Sequence, residues 1–239
     1  VLFDYRDYLA VGDLRALTRA WQHLASLEQP MSITAIWRPQ RPIWDRLPKT
    51  FFSRAPRLSF QNMQPASFVE SHSRAFSRFR KLERLGLKLK TYSGDCNIVR
   101  QIYERRARQS LPGELFHDRR RIEFMVAICR EERSRCEVFT LEHGGTLAAA
   151  LVTFRDDGYR RFYTTYYDRA WARYSPGVSL LFEVSRQSLE QGLSFDLMTG
   201  EQAYKKRIAT DAQDLFEVKA TPQQLSESLP AIATIEHAA

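Results

Sequence analysis

Residues Tyr159 to Met198 read YRRFYTTYYDRAWARYSPGVSLLFEVSRQSLEQGLSFDLM. Tyr159 to Tyr167 is aromatic and β-branched with an alternating component, which predicts a strand. Tyr174-Ser175-Pro176-Gly177 predicts a turn. After it Leu180, Leu181, Val184, Ser188 and Leu189 recur at helical spacing, and Gly192 stands where a helix C-terminus is punctuated. Ser194 to Met198 then reads as a short buried strand. The order strand, turn, helix, strand sets a small-residue turn directly before an amphipathic helix. Free backbone N–H groups and the positive end of the helix dipole make such a place a phosphate site. Ser-Pro-Gly is also a common turn that binds nothing, and only the surrounding order favours the binding reading.

Upstream, Glu137 to Leu141 is β-rich and His143-Gly144-Gly145 is a hairpin turn. Thr146 to Arg155 (TLAAALVTFR) is mostly apolar, the pattern of a strand covered on both faces. Residues 67 to 85 predict a helix: Ser67 and Glu70 match a capping box, Phe68, Phe76, Phe79 and Leu82 form its apolar stripe, and Gly86 ends it. Gly86 to Tyr92 alternates as a strand, and Asn97 to Gln109 and Asp118 to Glu131 read as two helices around a loop at Leu111 to His117. In the first 60 residues Asp13 to Leu27 predicts a helix and Ser32 to Trp37 a strand. Pro39, Pro42, Pro48 and Pro56 then argue against long elements. Trp21, Trp37 and Trp44 read as packing residues rather than a ligand cage.

The segments Val138 to Phe154 (VFTLEHGGTLAAALVTF), Arg173 to Leu180 (RYSPGVSL) and Phe195 to Arg207 (FDLMTGEQAYKKR) resemble the GNAT superfamily of acyl-CoA N-acyltransferases, within it the cellulose-biosynthesis-type acetyltransferase and FemAB-like branch. The likeness runs from about residue 67 to 220. Where most of the family has Gln/Arg-x-x-Gly-x-Gly/Ala, Arg173-Tyr174-Ser175-Pro176-Gly177-Val178 keeps one glycine in a displaced register. The resemblance implies an α+β fold with a mixed, mostly antiparallel sheet flanked by helices. It also implies three parts: a partial N-terminal α/β half at 1–66, the acyltransferase domain at 67–220, and a tail at 221–239. The implied activity is transfer of an acyl group from acetyl-CoA or another acyl-CoA to an amine. The acceptor is expected to be a small molecule or a cell-envelope amine. Two alternatives stay open: a FemAB-like transferase that uses aminoacyl-tRNA, and a non-catalytic module of the same fold.

By resemblance, Arg173, Tyr174, Ser175, Gly177, Val178 and Ser179 are the donor-binding candidates. Pro176 shapes the turn but has no N–H to donate. Tyr204 is the candidate acid for the leaving thiolate, with packing as its other reading. Asp196, among apolar neighbours, is either a base or a structural anchor paired with Lys205 or Arg207. His117 lies in a loop that borders the acceptor groove in this fold, and a surface role is its other reading.

The net charge is +8, concentrated in Arg74, Arg78, Arg80, Lys81, Arg84, Lys88 and Lys90 and in Arg105, Arg106, Arg108 and Arg119 to Arg121. A solvated helix face explains such runs, and so does an electropositive approach for CoA or tRNA. No RNA-recognition motif accompanies them. Cys96, Cys129 and Cys136 are odd in number and lack Cys-x-x-Cys spacing, so reduced thiols in a cytoplasmic setting are expected. Cys129 shares a stripe with Ile122, Met125 and Val126. No apolar run approaches the ~20 residues of a membrane helix, and no signal peptide is visible. Because the sequence opens on Val1 without an initiator Met, a longer parent chain stays open. No His, Cys or carboxylate spacing suggests a metal. Serine-hydrolase, Walker and dinucleotide motifs are absent.

Overall fold

A computed structural model describes residues 22–36, 47–111, 115–156, 158–200 and 202–227. Trp21, Trp37, Trp44, Pro39, Pro42 and most of the helix expected at 13–27 lie outside the described residues, while 22–26 is helical. The chain divides into two compact units, one of Val1–Ala55, Thr199–Glu201 and Ala212–Ala239, the other of Pro56–Met198 and Gln202–Asp211.

In the first unit β1 (Met31–Ile36) runs antiparallel to β8 (Asp211–Ala220), in the order β1, β8, β2 (Lys49–Leu58). Ile36, Leu47, Val218, Ala220 and Leu225 form its core. Pro56 lies within β2, where the prolines had argued against a long element. Pairing tolerates it because proline removes a donor but no acceptor, and its carbonyl accepts from Leu197 N–H at 3.0 Å.

The second unit holds the strand order β2, β7 (Ser194–Asp196), β6 (Tyr159–Tyr167), β5 (Thr146–Asp156), β4 (Cys136–His143), β3 (Lys88–Ser93). Every neighbouring pair is antiparallel except β6 and β7. The fold is therefore α+β with a mixed, mostly antiparallel sheet, and the 146–155 and 159–167 runs pair as the expected hairpin. Gly144 and Gly145, at φ 55° and 78°, give the β4–β5 hairpin two consecutive left-handed residues, the conformation that matches strand twist.

Burial in β5 is continuous from Leu147 to Thr153, because helices cover both sides. Val138, Ala150, Val152 and Tyr166 pack under Val99, Ile102 and Tyr103 of α3 (Cys96–Gln109) and Met125, Val126 and Cys129 of α4 (Arg119–Glu131). Side chains alternate along a strand, so the other face is left to α5 (Pro176–Glu190), which packs on β4, β5 and β6. Phe182 of α5 meets Phe68 of α1 (Pro65–Ser71) and Phe76 of α2 (Ser73–Arg84) at ring distances of 6.0 and 6.4 Å. Burying a side chain of this size contributes about 1.5–3 kcal/mol.

The helix expected at 67–85 is two helices broken at His72, and it begins at Pro65 after Gln64, with no side-chain cap. The Ser67–Glu70 pattern is not a capping box. Proline at the first helical position fixes the start instead. Asp95 and Asp118 do cap α3 and α4 by accepting backbone N–H groups.

Candidate functional site

β6 and β7 are in register only at Tyr159–Ser194, Arg160–Phe195 and Arg161–Asp196. Beyond Arg161 the sheet opens, since β7 ends at Asp196 while β6 continues to Tyr167. Two features fix the parting. Asp196 Oδ1 accepts the Met198 N–H at 2.8 Å, and Met198 sits at φ 59°, which turns the chain away. On β6 the β5 pairing slips, Phe162 facing Thr153 and Thr164 facing Val152, so Tyr163 is an extra residue that bends the strand.

The direction of the opened edge follows from alternation. Asp168 N–H donates to the Ala148 carbonyl of β5 at 2.8 Å. Tyr166 therefore also points its backbone groups toward β5, and the carbonyls of Thr165 and Tyr167 point to the opened side. Side chains of α3 cover both: Arg106 donates from Nη1 to Thr165 O, and Gln109 donates from Nε2 to Tyr167 O at 3.1 Å. The Arg106 guanidinium also lies over Phe116, 4.1 Å from the ring centre.

α5 begins at this same edge. A Cβ placed on Gly177 would stand 3.6 Å from Thr165 Oγ1 and 3.7 Å from Tyr167 Cβ. Ser175 precedes the helix in the left-handed region (φ 51°) and makes no side-chain cap. Its own N–H donates to Ala172 O, and Ser179 N–H donates to Ser175 O, each at 3.0 Å. Among the donor-binding candidates, the N–H groups of Ser175 and Ser179 are thus engaged. Those of Gly177 and Val178 have no hydrogen bond among the described residues. Arg173 is exposed and stacks over Tyr174 at 4.6 Å, and Lys81 of α2 approaches the same ring at 5.6 Å.

Tyr204 stands on the short helix α6 (Ala203–Ile208), half-buried, with no hydrogen bond to its hydroxyl among the described residues. Burial raises its pKa above the ordinary phenol value, and the Arg106 charge pulls the other way. Asp196 Oδ2 lies 2.6 Å from Nη1 of Arg161, an arginine the sequence reading had not named. Arg207 instead lies exposed beside a cavity. His117 is exposed in a 3-10 turn (Leu115–His117), where its Nε2 lies 3.3 Å from Ser110 O. Among the described residues no group of histidines, cysteines and carboxylates is placed to hold a metal ion.

The acetyltransferase (GNAT) domain model matches residues 71–206, more than half of the chain. The chain belongs to the GNAT family. A comparison with curated protein sequences finds no significant match. Among solved structures it is similar to the C-terminal domain of a lysylphosphatidylglycerol synthetase from Agrobacterium fabrum, at TM-score 0.64 and 10% identity over 93% of this chain and 77% of that one. The L-PGS of Bacillus licheniformis aligns at TM-score 0.59 and 10% identity over 90% and 76%. FemX aligns at 0.56 and 9% over 87% and 70%. At these identities the likeness is one of fold. No helix among the described residues is long and apolar enough to cross a membrane.

The sequence reading missed the most informative side chains of this GNAT site. Arg106 and Gln109 sit in a charged helical run that reads as solvated surface, and nothing local marks two of its residues as reaching a strand carbonyl. The bulge at Tyr163 is equally silent, because a pairing slip depends on both strands.

Proposed function

We propose that this GNAT protein transfers an acyl group from acyl-CoA to an amine. The supporting observation is that β6 and β7 part beside the two unengaged N–H groups of Gly177 and Val178 at the head of a 15-residue helix. A diphosphate on those donors meets the positive end of the helix dipole. The rest of the donor then has an opened strand edge to follow, with the thioester near Tyr204. The amine nitrogen attacks the thioester carbonyl carbon, the C–N bond forms and the C–S bond breaks. The sulfur leaves as thiolate and takes the Tyr204 phenol proton, while the amine's own proton passes to solvent and the phenolate regains one from it. A phenol is protonated at neutral pH, as an acid must be, and burial raises the Tyr204 pKa further.

A second reading is aminoacyl transfer from a charged tRNA. It is favoured by one observation: Arg106 and Gln109 already cover the β6 carbonyls that an amide-bearing pantetheine arm would bind. Under the acyl-CoA reading those two side chains give up their carbonyls when the donor enters.

Calorimetry and thermal shift with acetyl-CoA, longer acyl-CoAs and aminoacyl-tRNA separate the two. A ligand specific to the folded state, at 100 times its Kd, adds about 2.7 kcal/mol of stability. Acyl-CoA binding that Gly177→Asp weakens at least tenfold, together with thiol release that depends on an added amine, supports the first reading. Stabilisation by aminoacyl-tRNA alone overturns it in favour of the second.

A further inference from the structure

A cavity of about 410 Å³ lies against the first turn of α5, lined by Val178, Ser179 and Phe182 together with Ser71 to Ala75, Arg78 and Arg207. No carboxylate is among its lining residues, while Arg74, Arg78 and Arg207 all are. The three are exposed, and among the described residues none has an ion-pair partner for its guanidinium. Arg74 and Arg78 stand one turn apart on α2, so their like charges destabilise that helix face. At the break between α1 and α2 the ring nitrogens of His72 lie 2.9 Å from Phe68 O and 2.8 Å from Arg207 O. Val178 joins this cavity to the turn before α5, because it lines the cavity and its N–H has no hydrogen bond among the described residues.

We propose that this cavity holds a second phosphate group of the donor, apart from the diphosphate on Gly177 and Val178; the proposal rests on the donor reading above. The chemistry it recognises is a phosphate ester carried on a nucleotide, such as the 3′-phosphate of CoA. A ligand phosphate there takes charge-assisted hydrogen bonds from Arg74, Arg78 and Arg207 and relieves their mutual repulsion. Ser71, Ser73 and Ser179 are also among the cavity's lining residues. A phosphodiester of RNA offers the same group, so the experiment carries an arm for each source.

The test is calorimetric binding of CoA, 3′-dephospho-CoA and a short RNA duplex ending in CCA. It compares the wild-type chain, Arg74→Gln/Arg78→Gln and Arg80→Gln/Arg84→Gln. The last pair removes the same two charges from α2, but neither residue lines this cavity. All are solvent-facing substitutions, and a thermal midpoint within a few degrees of wild type verifies folding. The expected result is that wild type prefers CoA to 3′-dephospho-CoA at least tenfold. That preference vanishes in Arg74→Gln/Arg78→Gln and survives in the control. If the RNA binds instead and loses at least tenfold only in Arg74→Gln/Arg78→Gln, the phosphate cavity stands and the donor is RNA. Equal losses in both pairs, or none in either, overturn the cavity. If CoA binding ignores both pairs yet weakens at least tenfold in Gly177→Asp, the donor reading stands and the cavity alone falls. If neither CoA nor RNA binds the folded wild type, both readings fall.

Discussion

β6 begins with Tyr159-Arg160-Arg161 and ends with Thr164 to Tyr167, and its two ends are held in opposite ways. At the first end both edges are paired, to β5 and β7. Arg160, with a fully buried side chain, lies 2.8 Å from Glu137 Oε2, donates to Ser188 Oγ at 2.8 Å and Gln191 Oε1 at 3.0 Å, and stacks on Phe139. At the second end one edge is open, and its carbonyls are held by side chains rather than by a strand. A buried cation held by a carboxylate, a hydroxyl and an amide makes a clamp, since removing Glu137 strands Arg160 without its counter-charge. Carbonyls held by side chains can be released when those side chains rotate. One strand thus serves as a rigid base at one end and a receptive edge at the other.

The largest effect that would sharpen this contrast is expected at the receptive end. Tyr204→Phe keeps the ring and deletes the proton, so turnover should fall by about 10²–10⁴-fold, or ~3–5 kcal/mol in barrier. Thermal stability and donor affinity should stay near wild type. Full turnover in a chemistry-limited assay would reduce Tyr204 to a packing residue. Its raised pKa also sets a pH dependence: the wild-type rate should not lose its acid until the pH passes the ordinary phenol value of 10.0.

Next in size is the base. Arg160→Ala leaves Glu137 without its buried cation, and denaturant unfolding should report a loss of about 3–5 kcal/mol. An unchanged midpoint would erase the distinction between the two ends.

A smaller effect is expected at the head of α5. Gly177 does not need positive φ, and its missing Cβ meets only ordinary contacts. Gly177→Ala should therefore bind donor as wild type does, while Gly177→Asp places a carboxylate beside a phosphate and should weaken CoA by about 10–100-fold, ~1.4–2.7 kcal/mol. If the Ala variant loses as much as the Asp variant, bulk rather than charge excludes the donor.

The smallest belongs to the core behind β4. Burial pushes the Cys129 thiol up to about 11 and raises Cys136 as well. An acid whose folded pKa is raised keeps its proton longer when folded, so stability is full below pH 9 and falls as pH rises toward 11. Chemical denaturation across that window, compared with Cys129→Ala, should show the slope shrink in the variant.

The hairpins and the order of elements around α5 were legible because they depend on local spacing: apolar runs for strands, His143-Gly144-Gly145 for a turn, Leu180 to Leu189 for a helix. The resemblance pointed to Gly177, Val178 and Tyr204, and the structure sets Gly177 beside Thr165 and Tyr167 of β6. What was illegible depends on partners distant in sequence. Arg161 could not be matched to Asp196, because 35 positions separate them. Arg106 could not be told from its exposed neighbours Glu104 and Arg108. His72, read as one residue of a continuous helix, is instead its break, with a ring bonded to a backbone carbonyl 135 positions away.

The link between β6 and β7 is parallel, and a parallel link requires a crossover, which here is α5. A crossover helix must start from the end of the strand it leaves, and a short second strand leaves the first one bare at that end. The charged cradle and the gap beside it are therefore inherited together as one topological object. Descendants of such a chain are free to vary the other loops without rebuilding the head of α5 and the open edge beside it. A lineage that lengthened β7 by a few residues would close the gap and keep the cradle, leaving a binding protein where there had been a transferase.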